Sequence, residues 1–174
     1  MYKIGIIGSG PERFGDRKEV KRSIAQTIEV LGSQYGRDQL VFNIRADVGV
    51  GLWAAQRCLE DEFRYSLFLP FSLQKTSEHW FESQRQTLAN QYLRAHSLII
   101  SQPDLKKDKK DDSYDLLIDD SNFLVCFWDG AKHSCVYDAI KTALSHNRMV
   151  LDGFNDLKLM TNKDIRKTKV WKSE

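Results

Sequence analysis

Cysteine and proline are scarce in this 174-residue sequence, with three of each. The cysteines, Cys58, Cys126 and Cys135, are odd in number and widely spaced, so no disulfide framework follows. Cys126 lies in an apolar run and Cys58 on a helical pattern, which makes both small core hydrophobes. Cys135, near Gly130, His133 and Ser134, competes for the role of nucleophile or metal ligand against the commoner buried-thiol reading; no second Cys or His stands at zinc-like spacing, and no metal site is expected. Charge of one sign is also missing, since 26 Lys and Arg face 24 Asp and Glu for a net +2. Binding dominated by phosphate neutralisation needs a strongly basic protein, so nucleic acid gains no special support as a partner. Apolar runs such as Phe123 to Trp128 fall far short of the roughly 18 residues that span a bilayer. The start, MYKIGIIGSG, carries one Lys and a short apolar run without a cleavage-like end to a signal peptide. A soluble, cytoplasmic protein with no membrane partner is expected. Walker A, HExxH and GxSxG patterns and a paired-carboxylate motif are absent, which disfavours ordinary kinase and hydrolase templates.

What is present is distributed unevenly. The length suits one domain of roughly 100 to 200 residues, and 41% apolar residues suffice for a sizeable core. Eight of the ten glycines fall in the first 51 residues. Gly5, Gly8, Gly10 and Gly15 surround the first apolar run, Gly32 and Gly36 close a helix, and Gly49 and Gly51 open another. Pro11, Pro70 and Pro103 each follow an apolar stretch, which places turns at strand ends. Val20, Ile24, Ile28 and Leu31 follow helical spacing, as do Phe81, Leu88, Tyr92 and Ala95, and Val136, Ile140, Ala143 and Leu144. Between them lie short β-rich runs: Lys3 to Gly8, Leu40 to Ile44, Tyr65 to Leu69, Ser97 to Ile100, Phe123 to Trp128 and Met149 to Leu151. Near-continuous apolarity suits strands covered on both faces. Strand alternating with helix predicts an α/β, Rossmann-like three-layer domain around a mostly parallel sheet of about six strands. The domain is expected over residues 1–152, with 153–174 a C-terminal extension and no separate domain.

Two segments break the order. Asp104 to Asp115 carries four Lys and five Asp with one aliphatic residue, and reads as an exposed loop before a short helix at Tyr114 to Asp120; a solvated linker is the default, a lid over a ligand the alternative. Lys163 to Glu174 has five basic and two acidic residues plus Trp171, a tail that docks on the domain, covers a partner subunit, or frays.

In an open parallel sheet, ligands bind beyond the carboxyl ends of the strands, where helix N-termini and loop amides converge. The first strand ends in GSGPERFG, where Gly8, Ser9 and Gly10 allow close backbone approach and Arg13 offers a fork for phosphate. The pattern is not GxGxxG, because position 13 is Arg, and such glycines also serve packing. The second strand ends in RADVGVGLWAAQ. There Gly49 and Gly51 lead into a helix, and Asp47 is by default its cap, with a ligand contact as the other reading. After Pro70, the residues Phe71, Gln74 and Trp80 combine stacking surface with an edge-reading amide, or simply pack over the sheet. The fifth strand runs into FWDGAKHSC, where Asp129, Gly130, Lys132, His133 and Ser134 precede a helix and suit phosphate or ribose; Ser134 alone also suits a plain N-cap, and His133 a surface position.

These segments in this order, a Gly-Ser loop, DVGVGLWAAQ, LPFSLQ with Trp80 downstream, and SNFLVCFWDG before a Ser-started helix, resemble the YpsA-like branch of the SLOG superfamily, which includes the LONELY GUY phosphoribohydrolases and the DprA core. The resemblance spans about residues 1–152 and is strongest over Gly49 to Trp80 and Phe123 to Ala143. It implies a Rossmann-like sheet that binds a nucleotide or nucleotide-derived ligand through Gly8, Ser9 and Gly10, through Asp47, Gly49 and Gly51, and through Gly130 to Ser134. No cofactor is implied, and at least a homodimer is expected by analogy. The phosphoribohydrolases carry PGGxGTxxE with a catalytic glutamate. In WDGAKHSCVYD, aligning Ser134 with the threonine puts Tyr137 in the glutamate's place, with Asp138 beside it. A phenol with pKa about 10 is a poor substitute for a carboxylate beside a developing oxocarbenium ion. The reading is therefore a nucleotide-binding sensor, sequestering or regulatory protein. The alternatives are an N-glycosidase acting on a nucleoside monophosphate with Asp47 or Asp138 as its carboxylate, and DprA-like single-stranded DNA binding through the basic tail.

Overall fold

The computed structural model describes residues 1–102 and 111–166. Most of the Lys- and Asp-rich stretch, Asp104 to Lys110, and the end of the tail with Trp171 lie outside the described residues. The strands are β1 (Tyr2–Gly8), β2 (Leu40–Arg45), β3 (Arg64–Phe71), β4 (Ser97–Gln102), β5 (Phe123–Phe127), β6 (Met149–Asp152) and β7 (Lys158–Leu159). The helices are α1 (Arg17–Tyr35), α2 (Val50–Glu60), α3 (Leu73–Thr76), α4 (Glu82–Arg94), α5 (Ser113–Asp120), α6 (Cys135–Ser145) and α7 (Asn162–Arg166). One sheet runs β4-β3-β2-β1-β5-β6-β7, parallel except for β7. The sheet thus has one strand more than the six expected. That strand is two exposed residues long, too short to carry a period of its own.

Alternation along each strand sorts side chains to two faces. Ile4 and Ile6, with Phe123, Val125 and Phe127, face a core built with Val20, Ile24, Ile28 and Leu31 of α1, with Ala54, Ala55 and Cys58 of α2, and with Leu88 of α4. Ile7, Leu124 and Cys126 face the opposite core, with Leu117 and Ile118 of α5, Ile140 of α6 and Ile165 of α7. Gly5 points to this second face, where a Cβ would stand 2.2 Å from the Leu124 side chain and 2.9 Å from that of Leu117. Only glycine lets α5 settle so close to the central strand. Phe81, expected on a core-facing stripe, instead precedes α4 and is 78% exposed. No helix among the described residues is long and apolar enough to cross a membrane.

The strand order places the site. From β1 the chain steps outward through β2, β3 and β4, then returns to the other side of β1 for β5 and β6. The topological switch therefore lies between the carboxyl ends of β1 and β5, where neighbouring connections depart to opposite faces and leave a crevice.

Candidate functional site

At the switch the two central strands remain tied past their last ladder bonds. Ser9 N donates to Phe127 O at 3.1 Å. The Ser9 hydroxyl lies 3.2 Å from Asp129 Oδ1 and accepts the Asp129 backbone N–H at 3.2 Å. Ser9 is buried, and Gly8 before it has no room for a side chain, since a Cβ there would lie 2.4 Å from Val50 at the start of α2. The Arg13 guanidinium stands 3.9 Å from Asp129 Oδ2. A Cβ on Gly10 would meet the Glu12 carboxylate at 2.5 Å, so Glu12 folds over the glycine. Glu12 of the first loop and Asp129 of the β5 loop thus place two carboxylates beside Arg13, a surface suited to hydroxyl donors rather than to a bare anion.

The β5 loop is held by its own bonds. Ala131 N donates to Asp129 Oδ1 at 3.1 Å, Gly130 takes φ +89°, and Ser134 caps α6 by accepting from Tyr137 N at 3.1 Å. Lys132 turns to the end of α7, donating to Arg166 O at 2.8 Å, while His133 is exposed. Tyr137 stacks on Trp128 with centroids 5.7 Å apart, and Asp138 lies exposed on α6, 3.8 Å from Lys141. Cys135 is exposed at the first turn of α6, which overturns its buried-thiol reading; Cys58 and Cys126 are buried, as their apolar settings predict.

The β2 loop reaches the first loop through Gly49. Its φ of +101° suits glycine, and a Cβ would stand 2.9 Å from Pro11 Cδ and 3.0 Å from Ser9 O. Gly51 sits against the backbone, where a Cβ would lie 2.3 Å from Arg45 O. Asp47 does not cap α2. The N-cap is Gly49, without a side-chain bond, and Asp47 pairs with Arg45 through Oδ1 and accepts the Tyr114 hydroxyl at 3.4 Å through Oδ2. Sequence spacing predicts a capping acceptor at Asp47, but a cation two residues back on β2 claims the carboxylate. Arg45 completes its fork on Asp111 Oδ2 at 2.7 Å and Ser113 Oγ at 2.7 Å, and lies over the Tyr114 ring at 4.4 Å. Burial pushes the Asp47 carboxyl above its usual value, against the pull of Arg45 and Tyr114. Burial, reinforced by the Asp47 charge, also raises the Tyr114 phenol. Partial burial works to raise Asp111, but bonds from Ser113 and Arg45 hold it below the ordinary carboxylate range.

Phe71 ends β3, where its N–H donates to the Thr76 hydroxyl at 3.3 Å and its carbonyl accepts from it at 3.0 Å. Trp80 packs half-buried against the first core and Gln74 is exposed. Beside the loops lies instead a cleft of about 770 Å³ between α1, α2 and α4. Pro11 and Gly49 form its upper rim, Trp53 is its aromatic residue, and Arg17, Lys21 and Asn90 line its walls. Neither Phe71 nor Trp80 lines it. These wall residues escape a reading restricted to strand ends; their signal is RKEVK, two cations four apart, and a Trp four residues after Gly49.

No family model matches the chain, and no curated protein does. Solved structures do. DNA processing protein A (DprA) from Streptococcus pneumoniae superposes with TM-score 0.64 at 14% identity over 90% of this chain, which spans about half, 54%, of that protein. TM1055 gives 0.57 at 14% identity, covering 95% of this chain and 89% of that one. The molybdenum cofactor binding protein of Rippkaea orientalis gives 0.55 at 16% identity, covering 87% and 75%. The sheet order, the two helical layers and these superpositions together show that the chain has a Rossmann-like three-layer α/β fold, one that it shares with these three proteins.

Proposed function

We propose that the chain binds a nucleotide or nucleotide-derived small molecule at the carboxyl ends of its strands and acts as a sensor, sequestering or regulatory protein. The observation that carries this reading is the convergence of the β1, β2 and β5 loops: Ser9 bonds Asp129, and Gly49 packs on Ser9 and Pro11. Close-packed glycines leave backbone amides and the carboxylates of Glu12 and Asp129 around the crevice, groups that hold phosphates and sugar hydroxyls. Hydrolysis has less support. Asp47 is engaged by Arg45 and Tyr114, Asp138 is exposed beside Lys141, and Tyr137 stands where the phosphoribohydrolases carry their glutamate if Ser134 is aligned with their threonine.

Thermal unfolding of the purified chain against a panel of nucleotides, dinucleotides and cyclic nucleotides tests the reading. Ligand at a hundred times its Kd adds about 2.7 kcal/mol, which is visible as a rise in Tm. No rise across the panel overturns it.

Single-stranded DNA is the second reading, favoured by the likeness to DprA, of which the Helicobacter pylori protein, at 14% identity and TM-score 0.60 over 90% of this chain and 71% of that one, has a described single-stranded DNA binding mode. A gel shift that persists at moderate salt supports it; loss of the shift between low and moderate salt removes it.

A further inference from the structure

The cleft between α1, α2 and α4 differs in charge from the crevice it adjoins. Arg17 and Lys21 are the charged residues of its lining, and no Asp or Glu among the described residues lines it. Neither cation pairs with a carboxylate among the described residues. Arg17 uses Nε on Pro11 O at 3.3 Å, and Lys21 lies over the Trp53 ring at 5.3 Å. Spacing of four places both on one face of α1, about 6 Å apart along the axis. Gly49 and, in the first turn of α2, Trp53 line the next wall, while Ser83, Thr87 and Asn90 line the α4 wall. At the cleft's upper end α2 starts without a side-chain cap, Leu52 N donating to Asp47 O at 2.9 Å and Trp53 N to Gly49 O at 3.0 Å, and the positive end of its dipole adds to the field of Arg17. The crevice across Pro11 carries the opposite sign: Glu12 covers Gly10, and Asp129 holds Arg13.

We propose that the cleft receives the phosphate-bearing end of the ligand, held by Arg17 and Lys21, while the ligand's sugar hydroxyls face Glu12 and Asp129 across Pro11. The inference rests on the nucleotide reading above and names the class of ligand, a nucleoside phosphate entering with its phosphate towards the helices. A volume of about 770 Å³ lies within the range of small-molecule sites. Two cations that pair with no carboxylate among the described residues, beside the N-terminal end of α2, provide charge-assisted bonds to phosphate oxygens without the desolvation of an existing ion pair.

Isothermal titration of the full chain with AMP, GMP, CMP and UMP, and with the four matching nucleosides, tests it. Both cations are exposed, so Arg17→Ala and Lys21→Ala retain the wild-type melting temperature. Each variant is expected to bind the preferred nucleotide about ten-fold more weakly and its nucleoside unchanged, and the wild-type affinity falls with added NaCl. Lys18→Ala, on α1 but outside the cleft lining, leaves binding unchanged. If the wild type binds a nucleotide and both cleft variants bind it equally well, or if nucleoside and nucleotide bind alike, the cleft assignment is overturned while nucleotide binding stands. If the wild type binds nothing in the panel, the nucleoside-phosphate assignment falls, and the thermal panel with dinucleotides and cyclic nucleotides decides the nucleotide reading.

Discussion

Ser9 and Asp129 are 120 residues apart in sequence and 3.2 Å apart in space, joined by two bonds through one hydroxyl. The pair lies at the crevice between β1 and β5, the point in the strand order where the direction of winding reverses. Through Asp129 it also sets the position of Arg13, and through the packing of Gly49 on Ser9 O it couples the β2 loop to both.

Removing that hydroxyl has a defined cost. Ser9→Ala leaves the Asp129 N–H and one carboxylate oxygen without their shared partner in a buried setting, an expected loss of about 1–3 kcal/mol. For a chain of this length each kcal/mol lowers Tm by about 2–4 °C. Urea unfolding measures the change directly, and a variant as stable as the wild type shows that the contact contributes nothing.

Three glycines of the N-terminal third should respond differently to alanine. At Gly49 the φ of +101° and the contact with Pro11 predict a cost of about 1–3 kcal/mol. At Gly51 a Cβ would meet the Arg45 carbonyl oxygen at 2.3 Å, so the backbone of α2 must shift and the loss is larger than at Gly49. Gly15 has nothing within 4 Å of a Cβ, and Gly15→Ala is neutral or stabilises by about 0.4–1 kcal/mol through the unfolded chain. Denaturant midpoints of the three variants rank them; any other order contradicts the loop packing.

Thiol accessibility separates the cysteines. Cys135 is exposed, whereas burial pushes the Cys58 and Cys126 thiols well above their ordinary value. Titration with a chromogenic disulfide reagent at pH 8 is expected to label one thiol quickly in the native protein and all three after denaturation. Rapid labelling of all three in the native state would mean that the two cores are not closed.

Asp111 gives a pH dependence with a definite sign. Its folded pKa lies below the unfolded reference of 3.8, held there by Ser113 and Arg45. Its contribution is therefore present above that reference and is lost as pH falls through it towards the folded value. Asp111→Asn should destabilise at pH 6 to 7 and approach the wild type in stability as pH falls well below 3.8. Equal destabilisation at both ends would show that the Arg45 contact is not ionic.

The six parallel strands and the helices between them are legible from local patterns because burial imposes a period on neighbouring residues. In Phe123 to Phe127, alternate side chains serve α1 and α6 from one short run, and the run reads as a doubly covered strand without reference to any other segment. Val20, Ile24, Ile28 and Leu31 likewise repeat at helical spacing because all four meet one sheet face. The two-residue β7 and the exposure of Phe81 escape this logic, since neither is governed by a repeating burial pattern.

Local pattern also marks Gly8, Ser9, Gly10, Gly49 and Gly51 as strand-end positions, because glycine before a helix start signals close backbone approach. Which loops meet is another matter. That Ser9 takes Asp129, that Arg45 draws Asp47 away from the α2 cap, and that Arg17 and Lys21 end in a cleft with Trp53 all follow from the strand order and from the layering of α1, α2 and α4. Sequence alone determined the α/β layers and the strand ends, since each rests on neighbours within a few residues. Tertiary structure decided the charge of the site, since the sign of a crevice depends on which carboxylates and cations the crossovers bring together from distant parts of the chain.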